Sequence, residues 1–223
     1  ELDLDDGSAH VTQGDPGWST VARSTSEFRV VAPERETRWG PIRLCHGVID
    51  VRTQVTSFLR MLPSGEVVAE HPLDLPEQRL TTRGVWWTAP PELLAEVVDD
   101  ADGPGALHAA EHCAIAMLPL VAQSDRWDVG GVSTMLHPDT ELPTVVVYDG
   151  YPGGAGFAQR GFEQAATWLR GTLAAITDCP CRSGCPACVQ SPKCGNGNEP
   201  LDKQGARRVL ELVLREAEHP SRG

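Results

Sequence analysis

No run of 18 or more apolar residues occurs in this sequence, and its first residues, Glu1-Leu2-Asp3-Leu4-Asp5-Asp6, are acidic where a secretory leader would be basic and then apolar. Neither a membrane span nor a signal peptide is expected. No Gly-x-x-x-x-Gly-Lys is present, so the chain by itself is not a P-loop ATPase. Basic charge is scarce as well: 19 Lys and Arg against 31 Asp and Glu leave −12. That balance repels a phosphate backbone on average and argues against the whole surface gripping nucleic acid. Internal repeats and low-complexity tracts are also missing. There is no opening Met, and the chain begins in mid-phrase, as an excised piece of a longer protein would.

What is present is a chain of 223 residues with 40% apolar side chains, enough for one large domain with a sizeable core. Residues 1–40 carry Gly14, Pro16, Gly17 and Pro33 as breakers and read as an irregular segment with a few edge strands, of which only 28–32 has strand character. From Arg43 onward the pattern changes. Ile49, Val51, Val55, Leu59 and Met61 alternate with Asp50, Arg52, Gln54, Thr56 and Arg60, the period of a half-buried strand. Pro63-Ser64-Gly65 turns the chain into a second strand and Arg79–Thr88 supplies a third, giving an antiparallel meander over about 40–90. Trp86 and Trp87 must then point to opposite faces, one into the core and one partly covered.

Helices follow. A short one is expected over 92–98. A buried one runs from about Gly105 to Leu118, opened by Asp102 as cap and by Pro104, and limited by Pro119. Its polar seam is His108, Glu111 and His112. Strands near 132–136 and over Thr144–Tyr148 form a short parallel or mixed pair, a long helix covers 157–176, and a last helix opens at Pro200 and Asp202. The fold class is α+β, in three parts that pack as one domain: the segment 1–40, a core over 41–178, and 179–223 holding a cysteine knuckle and the C-terminal helix. Cys45 and Cys113 are expected as buried small hydrophobes.

Three constellations carry chemistry. In the first, Cys181, Cys185, Cys188 and Cys194 fall at spacing C-x3-C-x2-C-x5-C, with Gly184, Pro186 and Gly195 to turn the backbone. Four thiolates close a tetrahedral shell and leave no position for a reacting water, so structural Zn²⁺ is expected. An iron–sulfur cluster is the rival, and Cys179 is an alternative ligand to Cys181. The clustering disfavours a disulfide framework and favours a reducing cytoplasm. Arg182, Lys193, Lys203 and Arg207 lie in or just after this cluster and are candidate phosphate contacts. In the second, His108-x-x-Glu111-His112 matches the helical pattern of inverted zinc peptidases, with Asp125, Asp128 and Asp149 as acids of unknown placement. A zinc-dependent hydrolase using this helix is the alternative reading; the simpler one is a hydrogen-bonded seam. The third is the loop Asp149-Gly-Tyr-Pro-Gly-Gly-Ala-Gly156, which joins strand to helix as an anion site would, but is better read as a tight turn.

Taken together, Gly105–His112, Asp125–Ser133, Tyr148–Phe157 and Cys181–Asn196 resemble the C-terminal region of the MrfA/YprA and SftH type of superfamily two DNA helicases. The resemblance covers about residues 40–216, and Gly184 to Asn196 followed by Leu201-Asp202-Lys203 is its most specific part. It implies a four-cysteine zinc site in an accessory domain that follows two ATPase lobes, in an ATP-dependent enzyme moving 3′ to 5′ along single strands in DNA repair. The expected partners are those lobes and single-stranded DNA. With the lobes outside this sequence, no activity of its own is expected.

Overall fold

In the computed structural model, which describes residues 2–3 and 5–218, fourteen elements are present among the described residues. The strands β1 (Leu2–Asp3) and β2 (Ser8–Ala9) pair as a small antiparallel ribbon. The main sheet holds β3 (Ser19–Trp39), β4 (Ile42–Met61), β5 (Val67–Pro72), β6 (Gln78–Thr88), β7 (Val129–Thr134) and β8 (Thr144–Asp149). Its order is β3-β4-β6-β8-β7, all antiparallel, with β5 paired to the outer half of β4. The alternation in β4 decides which side chains face inward. Ile42 and Leu44 join Val85, Trp87, Val129, Val145 and Val147 on the face that receives the helices. Cys45, Ile49 and Val51 join Phe28, Trp86 and Val146 on the other.

The helices are α1 (Pro91–Leu94), α2 (Gly103–Met117), α3 (Pro119–Ala122), α4 (Phe157–Glu163), α5 (Ala165–Asp178) and α6 (Lys203–Glu218). At their centre lies α2, whose buried Ala106, Ala109, Ala110 and Ala114 are small enough for α5, α6 and β7 to approach closely. Trp168 of α5 is almost fully buried, and its indole Nε1 donates to the Ala114 carbonyl at 2.8 Å. By length and composition the stretch Gly103–Ala122 could cross a bilayer; here its apolarity serves the core, since it is mostly buried under the other elements. The same core continues through α6 to Cys188 and Val189.

The α+β class and the meander stand as expected, and five details differ. The N-terminal segment holds a strand of 21 residues rather than short pieces. Its side chains are mostly exposed, because β3 is the sheet edge, so no alternation marks it. The late strand pair is antiparallel, and β8 docks onto β6 to fuse it with the meander. Both Trp86 and Trp87 are core residues: the far face is roofed where His137 stacks on Phe28 with ring centres 4.0 Å apart. The helix expected over 157–176 breaks at Gln164, and Asp102 makes no side-chain cap bond to α2.

Replacing Trp168 by Ala removes both the largest buried side chain of the helical layer and the hydrogen bond to Ala114. Urea unfolding is expected to show a loss of about 3–5 kcal/mol. A loss below about 1 kcal/mol would mean that α5 does not pack as described.

Candidate metal centre

The C-terminal end of α5 leads directly into the knuckle. Cys179 takes an extended backbone, φ −73° and ψ 122°, as a residue before proline prefers, so Cys179-Pro180-Cys181 presents both sulfurs from one short run. Gly184 then reverses the chain at φ 117°, where a Cβ would lie 2.5 Å from the Val189 side chain. The Cys188 and Gln190 amides donate to the Cys185 carbonyl at 3.0 and 3.1 Å, closing the second turn. The outcome is four Sγ atoms that lie within 4.8 Å of one another, those of Cys179, Cys181, Cys185 and Cys188.

Their separations test the metal directly. A tetrahedron with Zn–S bonds of about 2.3 Å has sulfur–sulfur edges of about 3.8 Å. The observed edges are 3.6 Å for Cys179–Cys181, 3.5 Å for Cys179–Cys185, 3.5 Å for Cys181–Cys188 and 3.8 Å for Cys185–Cys188. The site suits a structural Zn²⁺ with no open position. Burial opposes ionisation of Cys181, but hydrogen bonds from the three neighbouring thiols and from Lys203 outweigh it and bring the thiol down to about 6. Burial holds Cys188 up at about 12. One thiolate thus forms readily near neutral pH, while Cys188 needs the cation to displace its proton.

The expected ligand set and this geometry part at one residue. Cys179 stands where Cys194 was expected, beside Cys181 rather than in place of it. The reason is local: from Ser191 to Asn198 the chain folds on itself, Asn198 bridging the Ser191 amide and carbonyl at 2.7 and 3.1 Å, and this carries Cys194 toward α2. The Cys-Pro-Cys spacing was the signal for Cys179, since two residues in extended backbone place both sulfurs on one side.

The candidate phosphate contacts also divide. Lys203, at the start of α6, is buried, and its ammonium donates to the carbonyls of Cys179 and Cys181 at 2.7 Å each and to the Cys181 Sγ at 3.3 Å. It is a counter-charge for the thiolates and cannot reach a phosphate. Lys193 donates to the carbonyls of Arg126, Trp127 and Val129 at 3.2, 3.3 and 2.7 Å, and so ties the loop before β7 to the knuckle. Arg182 is exposed, and Arg207 holds only a surface pair with Glu211 at 3.6 Å.

The polar seam separates in the same way. His108, Glu111 and His112 line a cleft of about 670 Å³ between α2, β7 and the loop of Cys194. Glu111 is buried, which lifts its carboxyl to about 7 against the opposing pull of His108 and a hydrogen bond from Ser133. Asp125 and Asp128 lie outside that cleft and organise their own loop, Asp128 accepting from the Tyr151 hydroxyl at 2.6 Å and from the Asp125 amide at 2.8 Å. Asp149 is fully buried and accepts from the amides of Ala155, Gly156 and Ala158 at 2.5, 2.7 and 2.7 Å. The glycine loop therefore already holds its anion, the carboxylate of Asp149, and α4 begins on it.

The family model of the MrfA Zn-binding domain matches residues 110–189. The chain is 28% identical over 222 residues to the uncharacterized ATP-dependent helicase YprA of Bacillus subtilis, covering 96% of this chain and 27% of that one. It is 38% identical over 113 residues to the uncharacterized protein MJ1572.1 of Methanocaldococcus jannaschii, covering 48% of this chain and 99% of that one. A crystal structure of the DUF1998 helicase MrfA bound to DNA superposes with a TM-score of 0.66 at 26% identity, over 96% of this chain and 28% of that one. The chain spans about a quarter of the length of YprA.

Zinc analysis of variants separates the two ligand sets. Cys179→Ser and Cys185→Ser are each expected to release the knuckle zinc, whereas Cys194→Ser is expected to retain a four-sulfur metal signal when cadmium is substituted and read by NMR. Lys203→Met is expected to weaken zinc binding about 10–100-fold in a chelator competition, the range found when an outer partner of a metal ligand is removed. Unchanged zinc affinity in Lys203→Met would remove its role as counter-charge.

Proposed function

This chain belongs to the MrfA Zn-binding domain family, the zinc-binding region of MrfA/YprA-type helicases, and we propose that it is the accessory C-terminal domain of an ATP-dependent, 3′-to-5′ DNA helicase that acts in DNA repair. Its work is to brace the ATPase lobes and to guide one strand past them, in a reducing cytoplasm where the knuckle cysteines stay free. The segments 1–40, 41–178 and 179–223 act as one unit. Zinc bound by Cys179, Cys181, Cys185 and Cys188 contributes folding energy and no chemistry.

The observation that carries this reading is the closed knuckle, clamped to α6 by Lys203, in a chain whose match to YprA runs along 96% of its length. A closed shell offers no Lewis-acid position, so the knuckle fits support rather than catalysis. Two further features favour it. The outer arm formed by β3, β4 and β5, with Trp18 just before it, leaves Trp18, Val21, Val67 and Val68 exposed, apolar side chains suited to packing on another protein body. The exposed Arg182 in the knuckle and the partly exposed Arg207 on α6 suit contact with a strand that the domain's overall charge of −12 would otherwise repel.

Binding to single-stranded DNA, measured as a function of salt, tests the guiding role. Changing Arg182 and Arg207 together to Ala is expected to lower affinity and to reduce the slope of log K against log salt by about 1.4, two phosphate contacts at about 0.7 each. A slope equal to that of the unmodified chain would remove these residues from the strand path. For the bracing role, the gene upstream of Glu1 is expected to encode, in the same reading frame, a Gly-x-x-x-x-Gly-Lys-Ser/Thr motif; a frame without ATPase motifs would require the lobes to be a separate chain.

A further inference from the structure

Cys194, freed from the knuckle, does not stand alone. Its Sγ lies 3.5 Å from His108 Nε2, and one ligand atom from each of His108, His112 and Cys194 falls within 4.8 Å of the others. The two imidazoles sit one turn apart on α2, with ring centres 4.2 Å apart and the planes inclined at 63°. Each ring is fixed from behind. His108 Nδ1 faces the Pro200 carbonyl at 2.8 Å, and His112 Nδ1 faces the Val189 carbonyl at 2.8 Å. A carbonyl only accepts, so both Nδ1 atoms carry the proton and both Nε2 atoms turn a lone pair inward.

Three electron-pair donors therefore converge, and protons cannot satisfy them well. A thiol proton serves one imidazole and leaves the other lone pair facing it. Transfer to one ring makes a thiolate and an imidazolium and still leaves the second imidazole without a donor. A divalent cation satisfies all three at once. The thiolate has its own support, since the Asn198 amide donates to Cys194 Sγ at 3.2 Å.

We propose that His108, His112 and Cys194 form a second transition-metal site, separate from the four-cysteine knuckle, that binds Zn²⁺ through two imidazoles and one thiolate. Nitrogen and sulfur donors select zinc over magnesium or calcium, which take oxygen. The carbonyls behind each ring are the outer partners that metal-bound histidines use to fix tautomer and orientation. Three protein ligands leave a fourth position, which opens on the cleft between α2 and β7 and admits a water or a small anionic ligand. Gly131 keeps that cleft narrow, because a Cβ there would lie 2.8 Å from Glu111 Oε1. The sequence left open which residue would join the His108-x-x-Glu111-His112 helix as a third donor; in the fold it is Cys194, from the turn that follows the knuckle. This site goes beyond the helicase reading and stands without it.

The full chain, equilibrated with buffered zinc and freed of excess, tests the proposal by metal content. Two zinc ions per chain are expected, falling to one in Cys194→Ser and in His112→Gln, while the double change of Cys179 and Cys185 to Ser removes the other. One zinc in the unmodified chain overturns the second site, and so do two zinc ions that survive both Cys194→Ser and His112→Gln. Cobalt titration of the unmodified chain gives a readout that needs no variant. A second equivalent with tetrahedral or five-coordinate bands and the charge-transfer intensity of one thiolate, rather than four, is expected. Saturation at one equivalent overturns the proposal.

Discussion

The buried ammonium of Lys203 is the contact on which the C-terminal half of this domain depends. Its three donors are used on the carbonyls of Cys179 and Cys181 and on the Cys181 sulfur. Lys203 opens α6, while Cys179 follows α5, so one side chain fixes the relation of two helices and the knuckle between them. A buried cation is costly without partners. Here four thiolates around Zn²⁺ leave excess negative charge, and the ammonium and the thiolate cluster satisfy each other.

From that clamp the rest of the interior follows. The alanine-rich α2 lets α5, α6 and β7 close around it, and the hydrophobic core then runs unbroken from the sheet to Val189 behind the knuckle. Zinc is thereby connected to the main core rather than to a detachable finger. The same packing aligns His108 and His112 with the loop that leaves the knuckle, so that Cys194 meets them. The four-sulfur shell is closed, and the three-donor cluster opens on a cleft. The closed knuckle and the proposed open site thus both rest on the packing of α2.

The cations illustrate how tertiary context divides residues of one type. Arg182, Lys193, Lys203 and Arg207 read alike as positive charges beside a cysteine cluster. In the fold, Lys203 is buried against the Cys179 and Cys181 carbonyls, Lys193 stays exposed but spends its ammonium on backbone carbonyls before β7, and Arg182 and Arg207 are the two whose guanidinium groups are not held by backbone carbonyls in this way. The acids behave similarly. Asp149 supplies the anion for its own glycine loop, while Glu111 is buried on α2 and faces the cleft.

Local periodicity and composition were enough to read the α+β class, the meander, the buried α2, the zinc and its structural character. Those features rest on side-chain alternation, helical spacing and cysteine density, all carried by residues close in sequence. The exposed edge strand β3 was legible only at 28–32, because an edge buries little and so leaves no long alternating pattern. Even the direction of the β7–β8 pair waited on its docking to β6. Which four of the five clustered cysteines share the knuckle was decided by the turn from Ser191 to Asn198, and the company of Cys194 by the packing of α2 against that turn. The sequence by itself determined that sulfur would gather near the C-terminus; the tertiary structure alone decided how it would be divided, because the partners of Cys194 lie more than eighty residues away along the chain.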